Sequence, residues 1–272
     1  MKDKVVVITG ASSGIGKALA FEFGTRGAKL FITGRNREAL EKTVSELQAK
    51  QIAVRSCVAD AASEQDTKRM IDDAIAHYGT IHVLINNAGI SMRALFEDVT
   101  LDVFRKVMEV NFYGAVYATK FALPHILKSK GSIVGISSIN GRRAIPGRSA
   151  YSASKYAMEG FLEALRTEVM KRDVHILSVC PGFTGTNIRA SALVANGEPQ
   201  KKSPLDESKM MTAEEVAQHI YTATISRKRD LVLTTKGKLA VFLNKWMPGA
   251  MDKIMWDYVA KEPDFPLNKK LI

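Results

Sequence analysis

A β-branched run that turns through three glycines directly into a helical pattern is the feature that most constrains how this chain can fold. Residues 5–8 are Val-Val-Val-Ile. Thr9-Gly10-Ala11-Ser12-Ser13-Gly14-Ile15-Gly16 follows, and Ala18, Leu19, Phe21, Glu22 and Phe23 then fall at helical spacing. The order reads as strand, tight loop and helix. Glycines in such a loop let the backbone come close to a bound group, and the free N–H groups of a helix N-terminus suit a phosphate. The spacing is GxxxGxG, a departure from the commoner GxGxxG of dinucleotide sites. An ordinary βα turn also uses glycine, but three at this spacing after a strand favour phosphate binding.

The alternation continues along the chain. Strand patterns at 28–33, 52–58, 81–85, 131–137, 174–179 and 231–235 are separated by helical patterns, among them 38–50, 63–78 and 101–127. Thr212-Ala213-Glu214-Glu215 has the form of a capped helix start. Strands alternating with helices predict an α/β fold: a single-domain, Rossmann-like, doubly wound parallel sheet ordered 3-2-1-4-5-6-7, with a C-terminal helical extension. The sheet domain is expected over 1–235 and the extension over 236–272. A chain of 272 residues that is 46% hydrophobic has ample material for such a core.

Cys57 and Cys180 lie in apolar runs and read as unpaired thiols in a reducing compartment, so the expected location is cytoplasmic. The amino-terminal run is too short for a signal peptide's core, and no stretch reaches the roughly eighteen apolar residues of a spanning helix. The formal charge of +11 admits anionic partners, but the basic residues are scattered and no nucleic-acid motif accompanies them. His77, His82, His125, His175 and His219 are dispersed, and no metal site is expected.

Candidate chemistry centres on residues 138–155. Tyr151 and Lys155 are four residues apart and share a helix face, and Ser138 lies thirteen residues upstream of the tyrosine. A nearby ammonium favours a phenolate, so Lys155 is expected to lower the Tyr151 pKa and let it exchange protons near neutrality. Ser138 offers a hydrogen bond to the same reacting oxygen. By itself YxxxK also fits any surface helix. Further signals are Asn86-Asn87-Ala88-Gly89 at the end of a strand and Pro181-Gly182-Phe183-Thr184-Gly185-Thr186 after another.

Together, in this order, the motifs resemble the short-chain dehydrogenase/reductase family over residues 4–235. The resemblance implies that Tyr151 is the catalytic acid/base, that Lys155 tunes it and binds the nicotinamide ribose, and that Ser138, favoured over the adjacent Ser137, orients the substrate oxygen. It implies that Asn111 sits at a helix irregularity near Gly114 and holds a water leading from the lysine to solvent. The cofactor would be held by Gly10, Ser12, Ser13, Gly14, Ile15 and Gly16, by Asn87, Ala88 and Gly89, and by Pro181, Gly182, Thr184 and Thr186. Asp60 would take the adenine amino group, although it also fits a helix start. An acidic residue about twenty positions beyond the glycines takes a ribose 2′-hydroxyl, whereas arginine accommodates a 2′-phosphate. Here the position is Arg35, so the expected cofactor is NADP(H), with Arg37 as either a helper or an ordinary surface residue. A homo-oligomer is implied as well. The opposing reading is a nucleotide-sensing or scaffold protein, but Asn111, Ser138, Tyr151 and Lys155 are all present.

Residues 187–211, with Pro199, Lys201, Lys202 and Pro204, form a candidate substrate lid. Met92, Arg93, Leu95, Phe96, Arg142, Arg143 and Ile145 are expected to join it around a small carbonyl or alcohol, either hydrophobic or carrying an acid. In the tail, Leu239, Phe242, Leu243 and Trp246 fall at i, i+3, i+4 and i+7. Pro248-Gly249 interrupts, and Met251, Ile254, Met255, Tyr258 and Val259 repeat the stripe. Two short amphipathic helices are predicted. Their stripes are expected to pack on the protein's own body or on a second subunit. The alternative is that Lys236, Lys238 and Lys245 flank a face over 236–259 that rests on an anionic membrane. The tail is also loosely similar to those of family branches acting on steroid-like or lipid carbonyls.

Overall fold

The Val5–Ile8 run is buried along its whole length, as a strand covered on both faces must be. In the computed structural model, which describes residues 1–203, 205–207, 210–263 and 265, it is an interior strand of a seven-stranded parallel sheet. The strands are β1 (Val5–Ile8), β2 (Lys29–Gly34), β3 (Val54–Val58), β4 (Val83–Asn86), β5 (Ser132–Ile136), β6 (His175–Cys180) and β7 (Asp230–Val232). Their order is β3-β2-β1-β4-β5-β6-β7, as the alternation predicted. Val6 pairs with Leu30 on one side and Val83 on the other, so the order reverses at β1 and opens a crevice at the strands' carboxyl ends.

Side chains alternate between two cores. Val6 and Ile8 join Leu19, Phe23, Leu40, Val216 and Ile220, which belong to α1 (Gly14–Thr25), α2 (Arg37–Ala49) and α7 (Ala213–Ile225). Val7 joins Ile71, Ala122, Ile126, Met158 and Leu162, from α3 (Glu64–Tyr78), α5 (Gly114–Ser129) and α6 (Ser149–Val169). Each helix therefore buries one stripe against one face of the sheet.

Local signals set most boundaries. Asn36, Ser63, Thr100 and Thr212 each accept a backbone N–H and so cap α2, α3, α4 (Leu101–Met108) and α7. At Thr212 the expected capping box is complete, with Glu215. The helix predicted over 101–127 is instead divided: α4, a π turn over Glu109–Tyr113, then α5. Gly114 meets a separate need, because a Cβ there would lie 2.7 Å from the Ala61 carbonyl oxygen.

Two helices end the chain's described part, α8 (Thr235–Trp246) and α9 (Pro248–Ala260), with Pro248 opening the second. Met251 and Val259 are buried, the latter with Leu95 and Phe265. Pro204 of the lid region and residues 266–272 of the tail lie outside the described residues.

Candidate active site

The carboxyl ends of β1, β4, β5 and β6 surround a cavity of about 920 Å³. Its floor begins with the glycine loop. Gly10 has φ of 66°, and a Cβ there would sit 2.8 Å from Ala88 Cα. A Cβ on Gly16 would fall 2.2 Å from the Gly10 carbonyl oxygen and 2.4 Å from Asn87 Nδ2. Only glycine allows that approach. Asn87 Nδ2 donates to the Thr9 and Gly10 carbonyls at 2.9 Å, and the Asn87 and Ala88 N–H groups donate to Thr9 Oγ1 at 3.0 Å. The Asn-Asn-Ala-Gly segment thus steadies the loop. Ser13 precedes α1 without making a side-chain cap, in contrast to the capped starts of α2, α3, α4 and α7. The first amides of α1 are consequently open toward the cavity, as an anion site requires.

Every residue assigned to the cofactor from sequence lines this cavity: Gly10, Ser12 to Gly16, Arg35, Asp60, Asn87 to Gly89, Tyr151, Lys155, Pro181, Gly182, Thr184 and Thr186. Arg35 is exposed at its rim. Asp60 Oδ1 accepts the Ala62 N–H at 3.0 Å, so its carboxylate also serves the local turn. Arg37 does not line the cavity. It is exposed and pairs with Glu41, the ordinary surface reading. The residues present fit a dinucleotide, with a bare backbone cradle, open helix amides and a cationic rim.

α6 carries Tyr151 and Lys155 on successive turns, and the hydroxyl of Ser138, at the end of β5, hydrogen-bonds the phenol. Lys155 Nζ donates to the Ile136 carbonyl at 2.8 Å. Lys155 is buried and Tyr151 half-buried. Burial raises the Tyr151 pKa above its ordinary value, and the Ser138 hydrogen bond, Arg189 and Arg148 pull against it. The lowering expected from Lys155 is not what acts here: its ammonium lies 5.8 Å from the centre of the Tyr151 ring and is not among the groups that shift the phenol, and desolvation opposes a phenolate more than Ser138 and the two arginines favour it. The same burial pushes Lys155 down to about 8, with Glu159 opposing. The pair therefore holds a neutral phenol beside an ammonium close to its own titration point.

Asn111 lies in the π turn but behind the cavity wall, with no exposed surface. Its Nδ2 donates to the Ile90 carbonyl and Ser154 Oγ, both at 2.9 Å, and its Oδ1 accepts the Ile90 N–H at 2.8 Å. Ser154 Oγ in turn donates to the Tyr151 carbonyl at 2.8 Å. Asn111 thereby ties the loop after β4 to α6.

Sequence reasoning missed two polar clusters. Glu159, one turn beyond Lys155, accepts from Ser178 Oγ at 2.6 Å, Cys180 Sγ at 3.3 Å and Arg142 at 2.9 Å. It joins the segment after Ser138 and the end of β6 to α6. The continued four-residue spacing from Tyr151 and Lys155 was its one signal. Glu262 pairs with Arg93 at 3.2 Å and Arg148 at 3.3 Å, all largely buried, which locks the end of α9 beside the start of α6. Nothing local in the sequence pairs residues that far apart.

The substrate end also differs from expectation. Met92, Arg93, Leu95, Phe96 and Arg142 do not line the cavity. Met92 and Leu95 are core, Arg93 is spent on Glu262, Phe96 faces solvent and Arg142 pairs with Glu159 and Asp230. Arg143 and Ile145 do line it, together with Ile188, Arg189 and Leu193 of the 187–211 segment and Leu239, Leu243, Met251 and Met255 of the tail. That segment folds largely as turns held by bridges such as Met92 to Leu193.

A parallel sheet of this order, with a Ser, Tyr and Lys constellation facing an uncapped glycine loop, defines a short-chain dehydrogenase. The sequence agrees: the family described as short chain dehydrogenase matches residues 4–196, and the chain belongs to that family of oxidoreductases. It is 38% identical over 270 residues to the Mus musculus protein named Dehydrogenase/reductase SDR family member 7B, covering 96% of this chain and 83% of that one. A Drosophila melanogaster protein, Dehydrogenase/reductase SDR family protein 7-like, is 35% identical over 258 residues, covering 93% and 79%. Among solved structures, a short chain dehydrogenase/reductase from Burkholderia phymatum in complex with NAD superimposes with a TM-score of 0.83 at 24% identity, covering 92% of this chain and 95% of that one. At that identity the likeness speaks for the fold.

Proposed function

We propose that the protein is an NADP(H)-dependent oxidoreductase that interconverts a hydrophobic ketone or aldehyde with its alcohol. The observation that carries this reading is one cavity whose wall holds Ser138, Tyr151 and Lys155 and whose floor is the glycine loop below the open amides of α1. The Burkholderia relative's NAD complex supports a nicotinamide cofactor. Arg35 at the rim, with no carboxylate in its place, supports the phosphorylated form.

When bound, the nicotinamide supplies or receives the hydride. In the reducing direction, Tyr151 gives its phenolic proton to the carbonyl oxygen as negative charge develops there, and Ser138 donates a hydrogen bond to the same oxygen. Lys155, beside the phenol and near its own pKa of about 8, favours the phenolate left behind. Asn111 holds the Gly89–Ile90 backbone against α6 so that these groups keep their spacing.

Substrate class follows from what remains free around the far end of the cavity. Arg143, Arg148 and Arg189 are already paired with Asp252, Glu262 and Glu207. Leu193, Leu239, Leu243, Met251 and Met255 line the wall as well, alongside the cationic Lys106 and Lys236, and this mostly apolar lining suits an apolar carbonyl compound better than an acid. The two unpaired cysteines support a cytoplasmic location. Tyr151→Phe tests the assignment. Turnover of a carbonyl library followed by NADPH absorbance should fall about 10²- to 10⁴-fold, while NADPH still binds by fluorescence titration. Wild-type turnover in the variant would overturn the role of Tyr151.

A further inference from the structure

Among the described residues, the tail helices present an apolar face that the protein's own body does not cover. On α8, residues at successive positions turn by about 100°, so Leu239, Phe242 and Trp246 point within a narrow arc while Ala240 and Leu243 point to the cavity. The side chains follow that geometry: Leu239 is 54%, Phe242 61% and Trp246 69% exposed, whereas Ala240 and Leu243 line the cavity. Met247 and Ile254, each half exposed, continue the face onto α9. Polar residues ordinarily occupy the outward side of such a helix. Here three large apolar side chains stand there.

Charge distribution singles out what covers this face. α8 contains Lys236, Lys238 and Lys245 and no carboxylate. Lys238 and Lys245 border the exposed arc, with the Lys245 ammonium 5.9 Å from the centre of the Trp246 ring. On α9, Asp252 is taken up by Arg143 at 2.8 Å. Two copies of α8 meeting about a twofold axis would bring lysine against lysine, because such contacts are self-complementary. An anionic surface meets both features at once: lysines reach phosphates while Leu, Phe and Trp enter the acyl boundary. Among the described residues no helix is long and apolar enough to cross a membrane, so the contact is one of lying on a surface.

The position of the face gives it a use. Leu239 and Ile254 are half exposed and also line the cavity. The apolar rim of the mouth and the apolar face are therefore one surface. Its base is fixed to the catalytic segment, since a Cβ on Gly237 would lie 2.1 Å from Ile139 Cδ1, next to Ser138.

We propose that α8 and the start of α9 dock on an anionic phospholipid bilayer, with the mouth of the active-site cavity facing the lipid. Docking involves no catalytic step, so it stands or falls apart from the carbonyl chemistry. The test is flotation of the full chain with vesicles of phosphatidylcholine alone and of phosphatidylcholine with phosphatidylserine in equal parts. Wild type should float with the mixed vesicles, much less with the neutral ones, and less as salt is raised. Lys238→Glu should lower partitioning by about fivefold or more, from roughly 1 kcal/mol for each basic residue near such a surface. Phe242→Glu with Trp246→Glu should abolish flotation without changing thermal unfolding, because both side chains face outward. Two outcomes overturn the proposal. One is no flotation of wild type, or flotation that these variants leave unchanged. The other is sedimentation showing a dimer that Phe242→Glu with Trp246→Glu dissociates while wild type fails to float, which makes the face a subunit interface.

Discussion

Replacing Asn111 by leucine removes three hydrogen bonds while keeping the branched shape of the side chain, and the structure indicates what is left behind. Ser154 keeps its own bond to the Tyr151 carbonyl, so it loses only one of two partners. The Ile90 N–H and C=O lose the amide that paired both of them. Each buried backbone group left unpaired costs about 1–3 kcal/mol. Because Ile90 is only half-buried, the lower part of that range applies, and the two together give about 2–4 kcal/mol. For a chain of this size that lowers Tm by on the order of 10 °C. Thermal and urea unfolding of wild type and Asn111→Leu measure the difference. Asn111→Asp is the matched comparison: its carboxylate still accepts the Ile90 N–H, but it cannot donate to the Ile90 carbonyl and carries a charge into a fully buried site, so it should be destabilised at least as much near neutral pH. NADPH affinity should fall in Asn111→Leu as well, because Gly89 and Ile90 line the cavity. A leucine variant within about 0.5 kcal/mol of wild type, the scatter of ordinary surface substitutions, would refute the role given to Asn111.

Arg35→Asp should move cofactor preference from NADPH toward NADH, measured as the ratio of kcat/KM values, and a wild type that already prefers NADH would show the reading of the rim to be wrong. Lys155→Met should flatten the pH dependence of stability measured without cofactor. The folded pKa of about 8 lies below the ordinary 10.5, so the unfolded chain holds more protons between those values and wild-type stability rises with pH across that window, by up to about 3 kcal/mol from 2.5 pKa units. Cys57 has the opposite sign, its pKa being raised, and therefore the wild-type minus variant difference is the quantity to plot. A difference flat from pH 8 to 10.5 would contradict the burial of an ammonium. Burial pushes the Cys57 thiol up to about 11 and the Cys180 thiol up to about 12. Iodoacetamide should accordingly label neither in the native protein at pH 7.5 while labelling both in urea, and fast native labelling of either would count against its placement.

Where a function depends on neighbours in sequence, the residues declared it. Val5–Ile8 with its glycine loop, the Tyr151 to Lys155 spacing and the Thr212 capping box are each local, and each has one low-energy solution: a buried strand, a shared helix face, an N-terminus closed by its own side chains. The alternation of period two and period 3.6 then fixed the parallel order, because right-handed crossovers leave few ways to lay such a chain on a sheet. Tertiary structure alone decided what depends on distance and dielectric. Whether Tyr151 is raised or lowered turns on how much water its wall excludes, which spacing does not encode. The pairing of Glu262 with Arg93 and Arg148 joins positions more than a hundred residues apart, and it is this pairing that withdraws Arg93 from the substrate. Likewise the stripe at 239, 242, 243 and 246 was legible as apolar, but amphipathic spacing gives only a periodicity and no direction. Packing of Gly237 on Ile139 set the rotation of α8, turning Leu243 into the cavity and leaving Phe242 and Trp246 outside.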